Sequence, residues 1–220
     1  MKRTFIITLL VALSLVGCSK GEKMQGKVEN DKVLKWLMAG NERFVSKGME
    51  GKDLTSGQSP SAIVLACSDS RVSPEILFDE DLGEIFVVRT AGNVSNPDNV
   101  ASIEYAVEHL NSKIVMVLGH DSCGAVGAAI KGVPADQPDM KNLHALTENI
   151  RENIESAGGS IAPTPDDPKH CKQAIANVHG VIKDITAQSE IISKAAKDGK
   201  ISVVPAMFSL DTGKVEILSD

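Results

Sequence analysis

A chain of 220 residues is long enough to bury one sizeable core, so a single folded domain is the starting expectation. Hydrophobic residues make up 42% and charged residues 24%, an ordinary balance for a soluble globular protein. Aromatics at 3% leave little material for base stacking or a carbohydrate cleft, and a net charge of −6 excludes the basic face of a general nucleic-acid binder.

The first residues stand apart from the fold. Met1-Lys2-Arg3 is a short basic start, and the apolar run Phe5 to Val16 is too short to span a membrane comfortably. It has the form of a secretory signal and ends in Leu15-Val16-Gly17-Cys18, which resembles the lipobox of bacterial lipoproteins. That resemblance implies cleavage after residue 17, lipidation of Cys18, and an exported protein anchored to a bacterial membrane on its periplasmic side or at the cell surface. An ordinary cleavable signal with an incidental cysteine is the alternative. Residues 18–30 are polar and lack apolar periodicity, as in a tether.

The folded domain is expected over 31–220. Asp31 is placed to cap a helical arm with Val33, Leu34, Leu37 and Met38 on one face, ended by Gly48 and Gly51. Strands and helices then alternate. Ala62–Ala66, Ile85–Val88 and Ile114–Leu118 are continuous apolar runs, the pattern of strands covered on both faces. Helical spacing appears over 98–110, with further helices at 123–131, 139–157 and a broken 169–197. Ile201–Val204 and Val215–Leu218 are late strands. The fold class is therefore α/β, with a mainly parallel central sheet flanked by helices.

Two of these strands end in residues that bind metals. The first terminates at Cys67 and the third in Gly119-His120, with Cys123 three positions later where the next helix starts. Ligands gather at the carboxyl ends of parallel strands, so residues 53 positions apart can converge there. A cysteine at a helix N-terminus has its thiolate stabilised by the backbone dipole. Cys/His/Cys suits zinc and leaves a fourth coordination position open, the mark of a catalytic site. Export keeps a Cys67–Cys123 disulfide as the alternative, although it would give no role to His120, Asp69 or Arg71. With Cys18 assigned to lipid, three cysteines remain and cannot all pair within one chain; Cys171 is left as a free thiol.

Cys67-Ser68-Asp69-Ser70-Arg71-Val72 and Gly119-His120-Asp121-Ser122-Cys123-Gly124-Ala125 resemble the two signature segments of the β-class carbonic anhydrases. The resemblance runs on through Phe86–Asn93 and Ser102–Val107 and covers residues 31 to 219. It implies the β-carbonic anhydrase fold with an N-terminal helical arm. It also implies one zinc ion per chain on Cys67, His120 and Cys123, and reversible hydration of carbon dioxide to bicarbonate and a proton by attack of zinc-bound hydroxide. Asp69 and Arg71 would form the dyad that orients the hydroxide. The same likeness suggests substrate contacts for Gln58 and Tyr105, with Tyr105 often supplied by a partner subunit, and close backbone approach at Ala91, Gly92 and Gly124. It implies a homodimer or a multiple of one. Two positions depart from branches of the family: Glu80 stands where the plant type carries an aromatic, and Val64 where the bicarbonate-inhibited type carries tryptophan. Two other functions fit the same residues: hydrolysis of carbon disulfide or carbonyl sulfide on this scaffold, or an exported zinc-binding lipoprotein without catalysis.

Overall fold

The computed structural model describes residues 30–48, 54–136 and 138–219, so Cys18, the signal segment and the tether up to residue 29 lie outside the described residues. The chain divides into two units, Met1–Asp53 and Leu54–Asp220. The described part of the first is helix α1 (Asn30–Ser46) with its short exit, which closes where the Gly48 N–H donates to the Val45 carbonyl at positive φ. The helix begins one residue before the expected cap, placing Asp31 inside it. Leu34, Leu37, Met38, Phe44 and Val45 of α1 are exposed.

The second unit contains β1 (Ala62–Cys67), α2 (Pro74–Leu77), β2 (Ile85–Thr90), α3 (Pro97–His109), β3 (Ile114–His120), α4 (Gly124–Lys131), α5 (Lys141–Ser156), α6 (Cys171–Gln188), α7 (Glu190–Lys197), β4 (Ser202–Phe208) and β5 (Val215–Ile217). The sheet order is β2-β1-β3-β4-β5, with β5 antiparallel to β4 and the other pairs parallel. Alternate residues of the central strands feed opposite faces. Ile63, Leu65, Val115 and Val117 pack with Val100 and Ile103 of α3, Val178, Val181 and Ile185 of α6, and Ile192 of α7. On the other face, Val64, Ala66, Leu118, Ala206 and Phe208 pack with Val72, Leu77 and Phe78. Burial on both faces is why β1 is an unbroken apolar run.

One strand runs longer than the sequence-based expectation, the expected break in the last helix falls at a definite residue, and one short helix was not expected; each has a local reason. The strand expected to stop at Val204 continues through Pro205 to Phe208. Pro205 accepts from the Leu218 N–H, so its missing N–H points to the β5 side, where the ladder with β5 covers only Ala206–Phe208 and needs no donor from residue 205. The long last helix breaks at Ser189, whose extended backbone ends α6 and whose hydroxyl accepts from the Ile192 N–H to start α7. The one-turn helix α2, with Pro74 in its first turn, is too short for periodicity to reveal.

Strand order reverses between β1 and β3, because the chain leaves β1 for β2 on one side and β3 for β4 on the other. In an open parallel sheet such a switch point, at the carboxyl ends of the strands, is where ligands are bound. Cys67 is the last residue of β1 and His120 the last of β3.

Candidate metal centre

The donor atoms of Cys67, His120 and Cys123 lie within 4.8 Å of one another and all three residues are buried; no other cluster of three or more such donors forms among the described residues. The two sulfurs are 4.0 Å apart and both cysteines are free, so the centre is not a disulfide. Two zinc–sulfur bonds of about 2.3 Å at a tetrahedral angle separate their sulfurs by about 3.8 Å, close to the spacing found. The Nδ1–H of His120 is directed by the Asp121 carbonyl at 2.8 Å, which in the neutral ring leaves Nε2 as the acceptor. That Nε2 is buried with no hydrogen-bond partner among the described residues, an orphaned polar atom that a role as metal donor would satisfy. The donor set fits zinc.

Each donor is held by backbone. The Cys67 sulfur accepts from the N–H groups of Asp69 at 3.4 Å and Gly92 at 3.3 Å. Gly92 sits at φ +70, and a Cβ there would lie 2.7 Å from Cδ1 of Ile150, so the close approach expected at this glycine is real. At Gly124 a Cβ would meet nothing within 4 Å among the described residues; that glycine is exposed at the start of α4, so the close approach expected there is not found. The turn between His120 and Cys123 is fixed from both flanks. The Ser122 N–H donates to the Lys169 carbonyl, and the Leu210 N–H donates to the Asp121 carboxylate.

The charge distribution follows from these contacts. The hydrogen bond from Cys123, opposed by burial and aided by His120 and the two backbone N–H groups, brings the Cys67 thiol down to about 4. Cys123 is pushed up, because its proton is held in the bond to Cys67 and its surroundings are apolar. Burial disfavours the His120 cation, but attraction to the Cys67 thiolate outweighs it and the imidazole is raised.

Asp69 lies beside this set without joining it. Both of its oxygens are taken by Arg71: Nε donates to Oδ1 at 2.9 Å, Nη2 to Oδ2 at 2.7 Å, and the Arg71 backbone N–H to Oδ1 at 3.0 Å. The Arg71 guanidinium holds the Asp69 carboxyl well below the usual carboxylate range. A second arginine, Arg89 of β2, clamps the backbone beneath, donating to the carbonyls of Cys67 at 3.0 Å and Asp69 at 2.7 Å. Sequence patterning did not single out Arg89; an arginine inside an apolar strand run is the signal it left.

The remaining site candidates are elsewhere. Gln58 and Tyr105 come together, lining a cleft with Leu54, Thr55, Gly57, Leu82, Gly83 and Leu110, which none of the three donors lines. Tyr105 is 49% exposed, with its ring 6.4 Å from that of Phe86 and 5.2 Å from His109. Phe78 and Glu80 line a different cavity with Val64 and Met116.

The fold and site together define an α/β protein with a three-donor, sulfur-rich metal centre at the switch point of a parallel sheet. A family profile described as carbonic anhydrase matches residues 62–215. Carbonic anhydrase 2 of Mycobacterium tuberculosis is 35% identical over 188 residues, spanning 82% of this chain and 88% of that protein. The carbonic anhydrase of Mycolicibacterium smegmatis is 35% identical over 195 residues, spanning 84% and 91%. Among solved structures, a Coccomyxa β-carbonic anhydrase in complex with acetazolamide aligns with a TM-score of 0.70 at 26% identity over 87% of both chains. A tetrameric β-carbonic anhydrase of Sordaria macrospora has the same fold, with a TM-score of 0.71 at 24% identity over 86% of this chain and 98% of that one. The chain belongs to the carbonic anhydrase family of enzymes, in its β class.

Proposed function

We propose that this protein catalyses the reversible hydration of carbon dioxide to bicarbonate and a proton, with one zinc ion per chain held by Cys67, His120 and Cys123. The observation that carries this reading is a three-donor set whose neighbouring carboxylate is held by Arg71 and stays out of the set. Zinc in such a set supplies Lewis acidity, making hydroxide available from water near neutral pH. Asp69 stays ionised and accepts a hydrogen bond from the attacking water, fixing the direction of its lone pair. Arg71 keeps that carboxylate from becoming a fourth ligand. The Asp121 carbonyl keeps the His120 ring in one tautomer and orientation.

Gln58 and Tyr105 contact substrate in this proposal, Tyr105 across the interface of a dimer; the open cleft that both line supports it. Gly124 leaves room for substrate above the start of α4. The N-terminal pattern supports export, cleavage after residue 17 and lipid anchoring through Cys18, with 18–30 as tether and 31–220 as the catalytic domain. Palmitate labelling that disappears in C18A tests the anchor.

Proton release and substrate consumption, measured on the metal-quantified protein with carbon dioxide, carbonyl sulfide and carbon disulfide in parallel, test the reaction. Rapid turnover of carbon dioxide alone is expected. Turnover of only the sulfur compounds, or of none at one zinc per chain, contradicts the proposal.

A further inference from the structure

The Cys67 sulfur is steered by a peptide that is itself held from a distance. The Gly92 N–H donates to the sulfur at 3.3 Å, but Gly92 has no side chain to confine it and sits in the left-handed region at φ +70. Its carbonyl accepts from Nδ2 of Asn177 at 2.8 Å, across 85 residues of sequence. Asn177 lies on the inner face of α6 and is completely buried.

The surroundings are shaped to bring that amide within reach. Val178, the next residue, presses so closely on β3 that a Cβ on Gly119 would lie 2.6 Å from its Cγ2, next to the donor His120. Three residues after Asn177, a Cβ on Gly180 would run into the backbone of Asn153 in α5. Helix α6 is thus seated by two glycine contacts, one on the strand bearing His120 and one on α5. The other amide atom, Asn177 Oδ1, is buried without a hydrogen-bond partner among the described residues. An orphaned acceptor costs free energy in a core, and a leucine would fill the volume without it.

We propose that Asn177 is a positioning residue for the metal centre: by pinning the Gly92 carbonyl it aims the Gly92 N–H at the Cys67 sulfur and so holds that ligand in place for zinc. The proposal rests on the assignment of zinc to Cys67, His120 and Cys123. Partners behind a metal ligand typically change metal affinity by about 10- to 100-fold.

The test is zinc affinity of N177L in the full-length protein, by competition with a chromophoric chelator. The sulfur-to-metal charge-transfer band of the cobalt-substituted protein is recorded alongside. V181A, a core truncation one turn further along α6, is the control for general destabilisation. The expected result for N177L is zinc binding weakened about 10-fold or more and a cobalt band moved to lower energy as the sulfur loses its donor. V181A should lower the melting temperature and leave both readouts unchanged. If N177L does not fold, N177S gives the same reading, since its hydroxyl is too short to reach the carbonyl. Zinc affinity within twofold of the parent and an unmoved band overturn the proposal; so does failure of both variants to fold, which would make the amide a member of the core and nothing more. A parent protein that binds no zinc refutes the metal assignment itself, a separate outcome.

Discussion

At the scale of single residues, Asp69 and Arg71 divide one task. The carboxylate is the acceptor, and the guanidinium fork determines where it points. Removing the arginine returns Asp69 toward an ordinary carboxylate value of about 4, still far below neutral pH. The loss in R71A is therefore one of position and not of charge. R71A and D69A should each lower kcat/KM by about 10²-fold or more while retaining zinc, and the R71A pH–rate profile should keep its midpoint above pH 6, measured by stopped flow. Because Asp69 is depressed in the folded protein, its contribution to stability is complete above its unfolded value of about 4 and is lost as pH falls below it. Acid denaturation curves of the parent and R71A should accordingly converge at low pH. The donors behave differently. C67S and C123S should lose zinc by metal analysis, and zinc affinity of the parent should rise with pH because Cys123 must give up a proton that its surroundings hold.

At the scale of elements, positions fixed by strand ends were legible in the sequence, and those fixed by hydrogen bonds across long stretches of chain were not. Cys67 and His120 close apolar runs, and parallel-sheet topology alone brings such ends together. Arg89, Asp121 and Asn177 act through hydrogen bonds to or from backbone groups spanning 22, 89 and 85 residues, and no local pattern marks the partner of such a bond. The end of β4 was hidden by Pro205, a residue that a strand tolerates only where no partner needs its N–H. The Ser189 break was visible as a break in the helical region, but not the bond behind it: its hydroxyl donates to Glu104 of α3 at 2.6 Å while capping α7. S189A should cost about 1–2 kcal/mol in denaturant unfolding, by loss of the cap and of the Glu104 partner. G92A should cost about 1–3 kcal/mol, since the left-handed backbone and the Ile150 methyl both oppose a Cβ; I150V removes that methyl and should recover only the steric share in a double-mutant cycle.

At the scale of the whole molecule, the chain displays apolar surface that a lone protomer would leave wet. Leu34, Leu37, Met38 and Val45 of α1, Ile76 of α2 and Leu82 are all more than half exposed. Apolar surface of this kind marks interaction sites. We expect a dimer or a multiple of it by light scattering, with L37E shifting the distribution toward monomer. Whether zinc on Cys67, His120 and Cys123 drives hydration is decided by titrating zinc into the metal-free protein and following carbon dioxide hydration. The expected rate climbs in proportion to added zinc and levels at one equivalent per chain. Protein that takes up that equivalent and hydrates no faster than buffer would contradict it.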